Sequence, residues 1–212
     1  YTWDDIFYVV GGETKKIRYI NQYGYLITAA KDGSPLPTQY NMSSGRWVPY
    51  HPGEKKAYNC GSCHTTGYTQ QGNQHGREGM IGSWAMDGVQ CEACHGPASR
   101  HAVAPDEVKP VINRSAEACG KCHVRGEVSK IPAKKGFIKH HEQYNELLFS
   151  SHKDLGCVDC HDPHTKIGTA MKKDCAGCHK KIAAVYESES IHGKNKIHCI
   201  ECHMPHGSRS AE

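Results

Sequence analysis

The stretch "HCIECHMPH", residues 198–206, places five Cys or His residues in nine positions. Within it, Cys199, Cys202 and His203 form a Cys-x-x-Cys-His motif. This motif occurs six times in the chain and uses all 12 cysteines. In chain order, the motifs are Cys60, Cys63 and His64; Cys91, Cys94 and His95; Cys119, Cys122 and His123; Cys157, Cys160 and His161; Cys175, Cys178 and His179; and Cys199, Cys202 and His203.

The repeated motif has the spacing that covalent haem attachment requires. Two cysteines three residues apart lie on one face of a helical turn. Each thiol can then add to one vinyl group of the same haem, and the adjacent His binds the iron. Zinc needs two Cys pairs per metal and no His directly after the second Cys, and six identical local pairs make poor disulfide staples. We therefore predict six covalent c-type haems, with the 12 cysteines as thioether positions and the six motif histidines as proximal ligands.

The aliphatic content of the chain is too low for an ordinary core. Leu, Ile, Val and Phe together make up about 15% of the 212 residues, below the roughly 20% at which a chain struggles to bury a core. Disordered chains of this kind carry a high net charge, whereas this chain carries a formal +4. We predict that closely stacked haems form the core of a mostly irregular fold with short α-helices.

The first part of the chain contains no cysteine. Within residues 1–59, the strings "IFYVVGG" (6–12) and "KKIRYINQYGYLITAA" (15–30) predict short strands with turns at Gly11-Gly12 and Tyr23-Gly24, which together form an N-terminal β-hairpin. Residues 31–47 read as a loop. This haem-free segment is predicted to precede a hexahaem-binding region.

Residues 60–212 are predicted to form that region as a single compact unit. Helical segments are expected at residues 142–151 and 180–189, with loops elsewhere. The shortest distance between motifs, from Cys157 to Cys175, predicts two haems in direct contact.

Ten histidines remain as candidates for the distal side of the haems. His101 lies only six residues beyond His95, so we expect it to reach a neighbouring haem rather than its own. The helix after His179 can carry His192 back over the same ring. The predicted distal ligands are His101, His141, His152, His164, His192 and His206.

Several of these assignments leave alternatives open. The sequence does not separate His140 from His141, although His141 is preferred. Proline before His164 and before His206 fixes a turn that directs each of them to another haem. The remaining candidates, which we read as surface or hydrogen-bonded residues, are His51, His75 and His198.

Ligation by two histidines favours electron transfer at low potential, because Met ligation is what raises the potential of a c-type haem. The five Met residues show no matching pattern. The alternative is an oxidoreductase with one open iron that acts on a small nitrogen or sulfur compound. Because all six motifs end in His, we predict an electron-transfer protein rather than an enzyme.

The charge of the chain has to be read together with the haems. The sequence pI of about 8.4 would fit nucleic acid, but six haems bring roughly −12 from propionates and about +6 from ferric centres. The basic excess compensates these propionates, so we predict no nucleic-acid partner. The sequence contains no run of roughly 18 apolar residues and no signal-peptide pattern at Tyr1, which predicts a processed chain without a transmembrane segment.

Four strings of the sequence carry a family resemblance: "YNCGSCHTTGY" (58–68), "GVQCEACHGPASRH" (88–101), "HHEQYNELLFSSHKDLGCVDCHDPH" (140–164) and "YESESIHG" (186–193). They resemble the multihaem c-type cytochrome superfamily. This superfamily includes tetrahaem electron carriers of ammonia oxidisers and octahaem proteins related to hydroxylamine oxidoreductase and tetrathionate reductase.

The resemblance implies closely spaced haems, in stacked and perpendicular pairs, that conduct electrons outside the cytoplasm, in the periplasm or at the cell surface. Redox proteins or extracellular acceptors would be the partners. The chain also looks like cytochromes that assemble into extracellular filaments (nanowires), an expectation that rests on analogy. A ligand lent across subunits would need a spare His near one end, for which His51, His198 and His206 are candidates.

Overall fold

The computed structural model describes residues 1–13, 15–124, 133–134, 137–138, 143–165 and 169–203. The chain forms two compact units, Tyr1–Ile112 and Asn113–Glu212. The sequence-based division placed all six motifs together after residue 59. In the structure the first two motifs belong to the same unit as the N-terminal strands.

The strands of the described residues are short and, where they pair, antiparallel. Their bounds are β1 Ile6–Gly11, β2 Lys16–Asn21, β3 Tyr25–Leu26, β4 Gln39–Asn41, β5 Arg46–Val48, β6 Lys56–Ala57, β7 Thr65–Thr66, β8 Thr69–Asn73, β9 Ile81–Ser83, β10 Met86–Asp87, β11 Ala133–Lys134 and β12 Phe137–Ile138. The first six form one sheet in the order β5-β4-β2-β3-β6, with β1 paired to β2. Strands β7 and β10, β8 and β9, and β11 and β12 form separate two-stranded ladders.

The predicted N-terminal hairpin is confirmed. Strands β1 and β2 pair antiparallel, with Val9 opposite Tyr19. The turn between them begins at Gly11, whose φ of 84° lies in the left-handed region that glycine adopts without the steric cost of a Cβ.

The prediction of a continuous loop over residues 31–47 is wrong. Strands β4 and β5 lie within or across this segment, with Tyr40 opposite Trp47. The inward-facing side chains of β4 are polar, which conceals the strand. Gln39 donates to the Oδ1 of Asn41 at 2.7 Å, and Arg18 donates to the Oε1 of Gln39 at 2.7 Å, so these buried amides have partners.

The first unit has a small apolar core. Its buried members are Ile20, Leu26, Tyr58, Met80 and Trp84. They come from β2, β3 and the segments beside β6 and β9, so they join the sheet to the chain that carries the first two motifs. This core packs beneath the part of the chain that contains the first two Cys-x-x-Cys-His motifs.

The helices are also short. Their bounds are α1 Gly61–His64, α2 Cys91–His95, α3 Ser99–Val103, α4 Ala116–Gly120, α5 Gln143–Phe149, α6 Cys175–Cys178, α7 Lys180–Glu189, α8 Ile191–Lys194 and α9 Cys199–His203. Helices α5 and α7 confirm the two helical predictions, and the expectation of a largely irregular chain with short helices is confirmed as well.

The second unit buries little apolar surface of its own. Among its described residues, Ala116 is the one buried hydrophobic side chain. Large apolar side chains are exposed instead, including Phe149 at 79%, Ile182 at 67% and Ile191 at 71%. The described part of the second unit is therefore not held together by packed aliphatic side chains.

Candidate haem-binding sites

All six Cys-x-x-Cys-His motifs adopt a single helical turn. Motifs two and six are helical throughout, as α2 and α9. In the other four, the backbone N–H of the motif His donates to the carbonyl of the first Cys. These bonds are His64 to Cys60 at 3.1 Å, His123 to Cys119 at 2.9 Å, His161 to Cys157 at 2.9 Å and His179 to Cys175 at 2.8 Å.

The second cysteine of each motif is part of the same turn. In three motifs its backbone N–H also donates to the carbonyl of the first Cys: Cys63 to Cys60 at 3.3 Å, Cys122 to Cys119 at 3.1 Å and Cys160 to Cys157 at 3.2 Å. Cys94 lies inside α2, one residue before His95. These bonds bring the second cysteine back towards the first, as attachment of both to one haem requires.

The side chains of the second cysteines are accessible rather than buried in the polypeptide. Four of them are exposed and two are partly exposed. The exposed ones are Cys94, Cys122, Cys178 and Cys202, and the partly exposed ones are Cys63 and Cys160. Accessible thiols suit addition to a haem vinyl group, but this exposure does not test the bond itself, so their role as thioether positions stays a prediction.

This turn has a direct chemical consequence. It places residues i and i+3 on one face and residue i+4 beside them, as attachment of one haem and ligation of its iron require. All 12 cysteines lie in the described residues, and none of them forms a disulfide.

Two motifs are fixed by a tyrosine ring against a glycine. A Cβ added at Gly61 in the first motif would come within 2.8 Å of the Tyr68 ring and 3.3 Å of the Trp84 ring. A Cβ at Gly120 in the third motif would come within 2.6 Å of the Tyr144 ring. No larger residue fits between the motif backbone and the ring at either position without a shift.

The thiols of different motifs approach each other in the second unit. Burial, together with contact with the Cys157 thiol, raises the pKa of Cys119. Burial, together with contact with the Cys199 thiol, raises the pKa of Cys175. The first cysteines of motifs three and four, and those of motifs five and six, are therefore neighbours.

In the first unit, His95 and His101 share an arrangement that suits metal ligands. The Nδ1 of His95 lies 2.6 Å from the carbonyl oxygen of Val111, and the Nδ1 of His101 lies 2.6 Å from that of Val108. A hydrogen bond from Nδ1–H to a backbone carbonyl fixes the tautomer in which Nε2 carries the lone pair for a metal. His101, predicted as a distal ligand, thus has the same tautomer as the motif histidine His95.

In the second unit, the predicted distal ligand His152 faces a motif histidine. The ring centres of His152 and His179 lie 5.8 Å apart, with the planes at 81°. A metal–imidazole bond of about 2 Å puts the metal roughly 3 Å from the ring centre, so two imidazoles on opposite sides of one metal have centres roughly 6 Å apart. The sequence predicts that His192 lies over the ring bound by His179, and this stays a prediction. The structure brings the ring of His152 to this distance from His179.

The other predicted distal ligands are placed less specifically. The Nδ1 of His164 lies 3.5 Å from the Oδ1 of Asp162. His192 lies in the first turn of α8, where its backbone N–H donates to the hydroxyl of Ser190 at 3.1 Å. The positions of His140, His141 and His206 lie outside the described residues.

The three histidines that the sequence left as surface residues make local polar contacts. The Nε2 of His75 lies 3.2 Å from the hydroxyl of Tyr8, and the Nδ1 of His51 lies 3.0 Å from the Oε2 of Glu54. The backbone N–H of His198 donates to Glu201 at 2.9 Å. The Nε2 of His75 is therefore engaged with a phenol.

A polar network beside the first motif was missed by the sequence analysis. The hydroxyl of Tyr8 donates to the Oδ2 of Asp87 at 3.0 Å, and the indole of Trp84 donates to the Oδ1 of Asp87 at 2.7 Å. Burial raises the pKa of Tyr8, and the bond to Asp87 adds to this rise. Tyr8 lies in β1, far in the sequence from Trp84 and Asp87, so no spacing marks the network.

The residues present fit a haem group. Each motif supplies paired thiols and an imidazole, and exposed apolar side chains such as Val111 at 66% and Ile112 at 67% lie near the motifs in the sequence. A porphyrin face needs such apolar contacts. Among the described residues, the structure has no helix long and apolar enough to cross a membrane.

Two family models match this chain, and together they span five of the six motifs. The model for cytochrome c554 and c-prime matches residues 30–96. The model for cytochrome c7 and related cytochrome c matches residues 106–180. The chain belongs to the multihaem c-type cytochromes. These families imply covalently bound haem c as the cofactor.

Curated relatives of this multihaem cytochrome are longer proteins. The multiheme cytochrome MtrA of Shewanella baltica (strain OS185) is 30% identical over 171 aligned positions, with 73% of this chain and 47% of the relative covered. The dissimilatory sulfite reductase MccA of Wolinella succinogenes is 26% identical over 164 residues, with 56% of this chain and 22% of the relative covered. The chain thus spans about half of the first relative and less of the second.

Two solved structures share the fold of this cytochrome. The undecaheme cytochrome from the S-layer of Carboxydothermus ferrireducens matches with a TM-score of 0.60 and 18% identity, covering 98% of this chain and 44% of that one. The outer cell wall cytochrome OcwA matches with a TM-score of 0.50 and 24% identity, covering 79% of this chain and 48% of that one.

Proposed function

We propose that this chain is a hexahaem c-type cytochrome that conducts electrons along closely spaced haems, each held by two histidines. Haem supplies reversible one-electron exchange between ferric and ferrous iron. The observation that carries the proposal is the shared helical turn of six Cys-x-x-Cys-His motifs, every one of which ends in His.

Two histidines per iron close both axial positions and leave electron transfer as the chemistry of the site. The proposed distal ligands are His101, His141, His152, His164, His192 and His206. The Nδ1 bond of His101 to a backbone carbonyl and the spacing of His152 from His179 support two of them. The first leaves the Nε2 of His101 free to bind a metal, and the second gives His152 a spacing from His179 that suits two ligands of one iron.

The proposed location is outside the cytoplasm, in the periplasm or at the cell surface. Support comes from the solved relatives, one described as an S-layer protein and the other as an outer cell wall protein. Redox proteins or extracellular acceptors are the proposed partners, with no nucleic acid among them. Assembly end to end into a filament is a further part of this proposal, for which His51, His198 and His206 are the candidate shared ligands.

A second candidate function is an oxidoreductase with one open iron. The similarity to a dissimilatory sulfite reductase favours it, because such chemistry needs a free coordination position. The two candidates differ in one measurable property. An open iron binds CO when reduced, whereas an iron held by two histidines does not.

The His101→Gly variant of the haem-loaded protein tests the proposed coordination. Removing the distal imidazole opens one iron, so we expect about one CO bound per chain after reduction, against none in the unmodified protein. His75→Gly is the matched control because the Nε2 of His75 faces Tyr8 and glycine accepts its φ of 56°. The control is expected to bind no CO.

CO difference spectra, with haem counted as the pyridine haemochrome, provide the measurement. CO binding by the unmodified protein would contradict the conductor and support the enzyme. A His101→Gly protein with six haems and no CO binding would remove His101 from the ligand set.

A further inference from the structure

The geometry points to a fixed order of haems in the second unit: the haems of motifs three, four, five and six follow one another in space as they do in the sequence. His152 and His179 hold the fifth haem between them. This inference rests on the proposed function, because it takes the six motifs to carry haems with two His ligands each. Three independent contacts establish the order.

The first contact joins motifs three and four. Helix α4, which contains Cys119, packs against the turn Cys157–Asp159, and the two first thiols meet. A Cβ at Gly156, directly before that turn, would come within 2.6 Å of the carbonyl oxygen of Arg114. The backbones preceding both motifs are thus in contact, which makes their haems neighbours.

The second contact joins motifs four and five. The ring centre of His152 lies 5.8 Å from that of His179, close to the roughly 6 Å expected of two imidazoles on one metal. His152 is only five residues before Cys157, and the backbone N–H of Leu155 donates to the carbonyl of His152 at 2.9 Å in a tight turn. A short, turned segment therefore connects a ligand of the fifth haem to the attachment point of the fourth.

The third contact joins motifs five and six. The first cysteines of these motifs, Cys175 and Cys199, are neighbours, since the Cys199 thiol contributes to the raised pKa of Cys175. Helix α7 starts directly after His179, and its Tyr186 hydroxyl donates to the carbonyl of Ile197 at 2.8 Å, two residues before Cys199. Helix α7 and this hydrogen bond hold motif six beside motif five.

The assignment of His152 removes His192 from the fifth haem. His192 then remains for another iron of the same series. The haems of motifs three and four form one pair, next to each other at Cys119 and Cys157. The fifth haem lies between this pair and the sixth haem, which it neighbours at Cys175 and Cys199. Electrons that enter at motif three or at motif six would pass through it.

CO stoichiometry in a double variant tests whether His152 and His179 bind the same iron. The haem-loaded His152→Gly and His179→Gly variants should each bind about one CO per chain after reduction. The double variant should also bind one if the two residues share an iron, but two if they serve different irons. The matched control is His75→Gly, at a residue with φ of 56° whose Nε2 faces the Tyr8 hydroxyl. It should bind none.

Proton NMR of the reduced, diamagnetic protein provides a second measurement that needs no variant at His179. We expect ring protons of His152 to show contacts with the haem whose thioether protons contact Cys175 and Cys178. Two CO in the double variant, or His152 contacts with another haem, would overturn the inference while leaving two-His coordination intact. CO binding by the unmodified protein would instead contradict the proposed function itself.

Discussion

The chain produced without haem attachment is expected to lose helices α5 to α9 and to keep the sheet formed by strands β1 to β6. In the described part of the second unit, Ala116 is the one buried hydrophobic residue, so little aliphatic burial opposes the loss of chain entropy. The first unit buries Ile20, Leu26 and Met80, among others, and retains a core of its own.

Hydrogen exchange read by mass spectrometry, on the haem-loaded and the haem-free chain, measures this difference segment by segment. Amides of α5 and α7 should be protected with haem and exchange at nearly unfolded rates without it. The amides of β2 serve as the internal control. Strong protection of α7 in the haem-free chain would show that the second unit has a source of stability other than haem.

The Trp84→Ala substitution is expected to lower the free energy of unfolding of the first unit by about 3–5 kcal/mol, the usual cost of deleting a buried aromatic side chain. Trp84 is 8% exposed and lies against Gly61 of the first motif. The variant therefore loses core packing and support for the helical turn of the first motif. Its effect should remain in the first unit.

The matched control for this substitution is Trp47→Ala. Trp47 is 49% exposed and lies on the edge strand β5, so its loss should cost about 1 kcal/mol or less. Denaturant unfolding followed by exchange of the β2 amides compares the two variants. Equal losses would mean that the core centred on Ile20 and Trp84 does not hold the unit.

The sequence predicts local structure well where the spacing of a few neighbouring residues determines it. The Cys-x-x-Cys-His turns follow from spacing alone, and the N-terminal hairpin follows from alternating residues around Gly11. Helix α7 is also predicted to the residue by its "KKIAAVYESE" stretch. These elements depend on neighbours within a few positions.

The short strands were harder to predict because tertiary contacts define them. Strand β4 buries Gln39 and Asn41 with polar partners, so its composition resembles that of a loop. Strands β7 and β10 are two residues long and exist only because they pair. Residues of such strands carry no periodic signal of their own.

Distance along the sequence is a poor guide to which two histidines bind the same haem iron. His192 follows His179 by a helix that can reach back, and this favoured it as the partner. The structure brings the ring centre of His152 to 5.8 Å from that of His179, although His152 precedes it and the whole fourth motif lies between them. We therefore infer His152 as the partner. A ligand set by tertiary packing cannot be read from spacing along one helix.

The most direct test of the account is to count and characterise the haems of the unmodified protein. Pyridine haemochrome gives their number, and EPR of the oxidised protein with CO spectra of the reduced protein gives their coordination. Two-His coordination at every iron predicts six low-spin haems that bind no CO. A high-spin haem that binds CO would contradict it, because it would reveal an open iron and a substrate site.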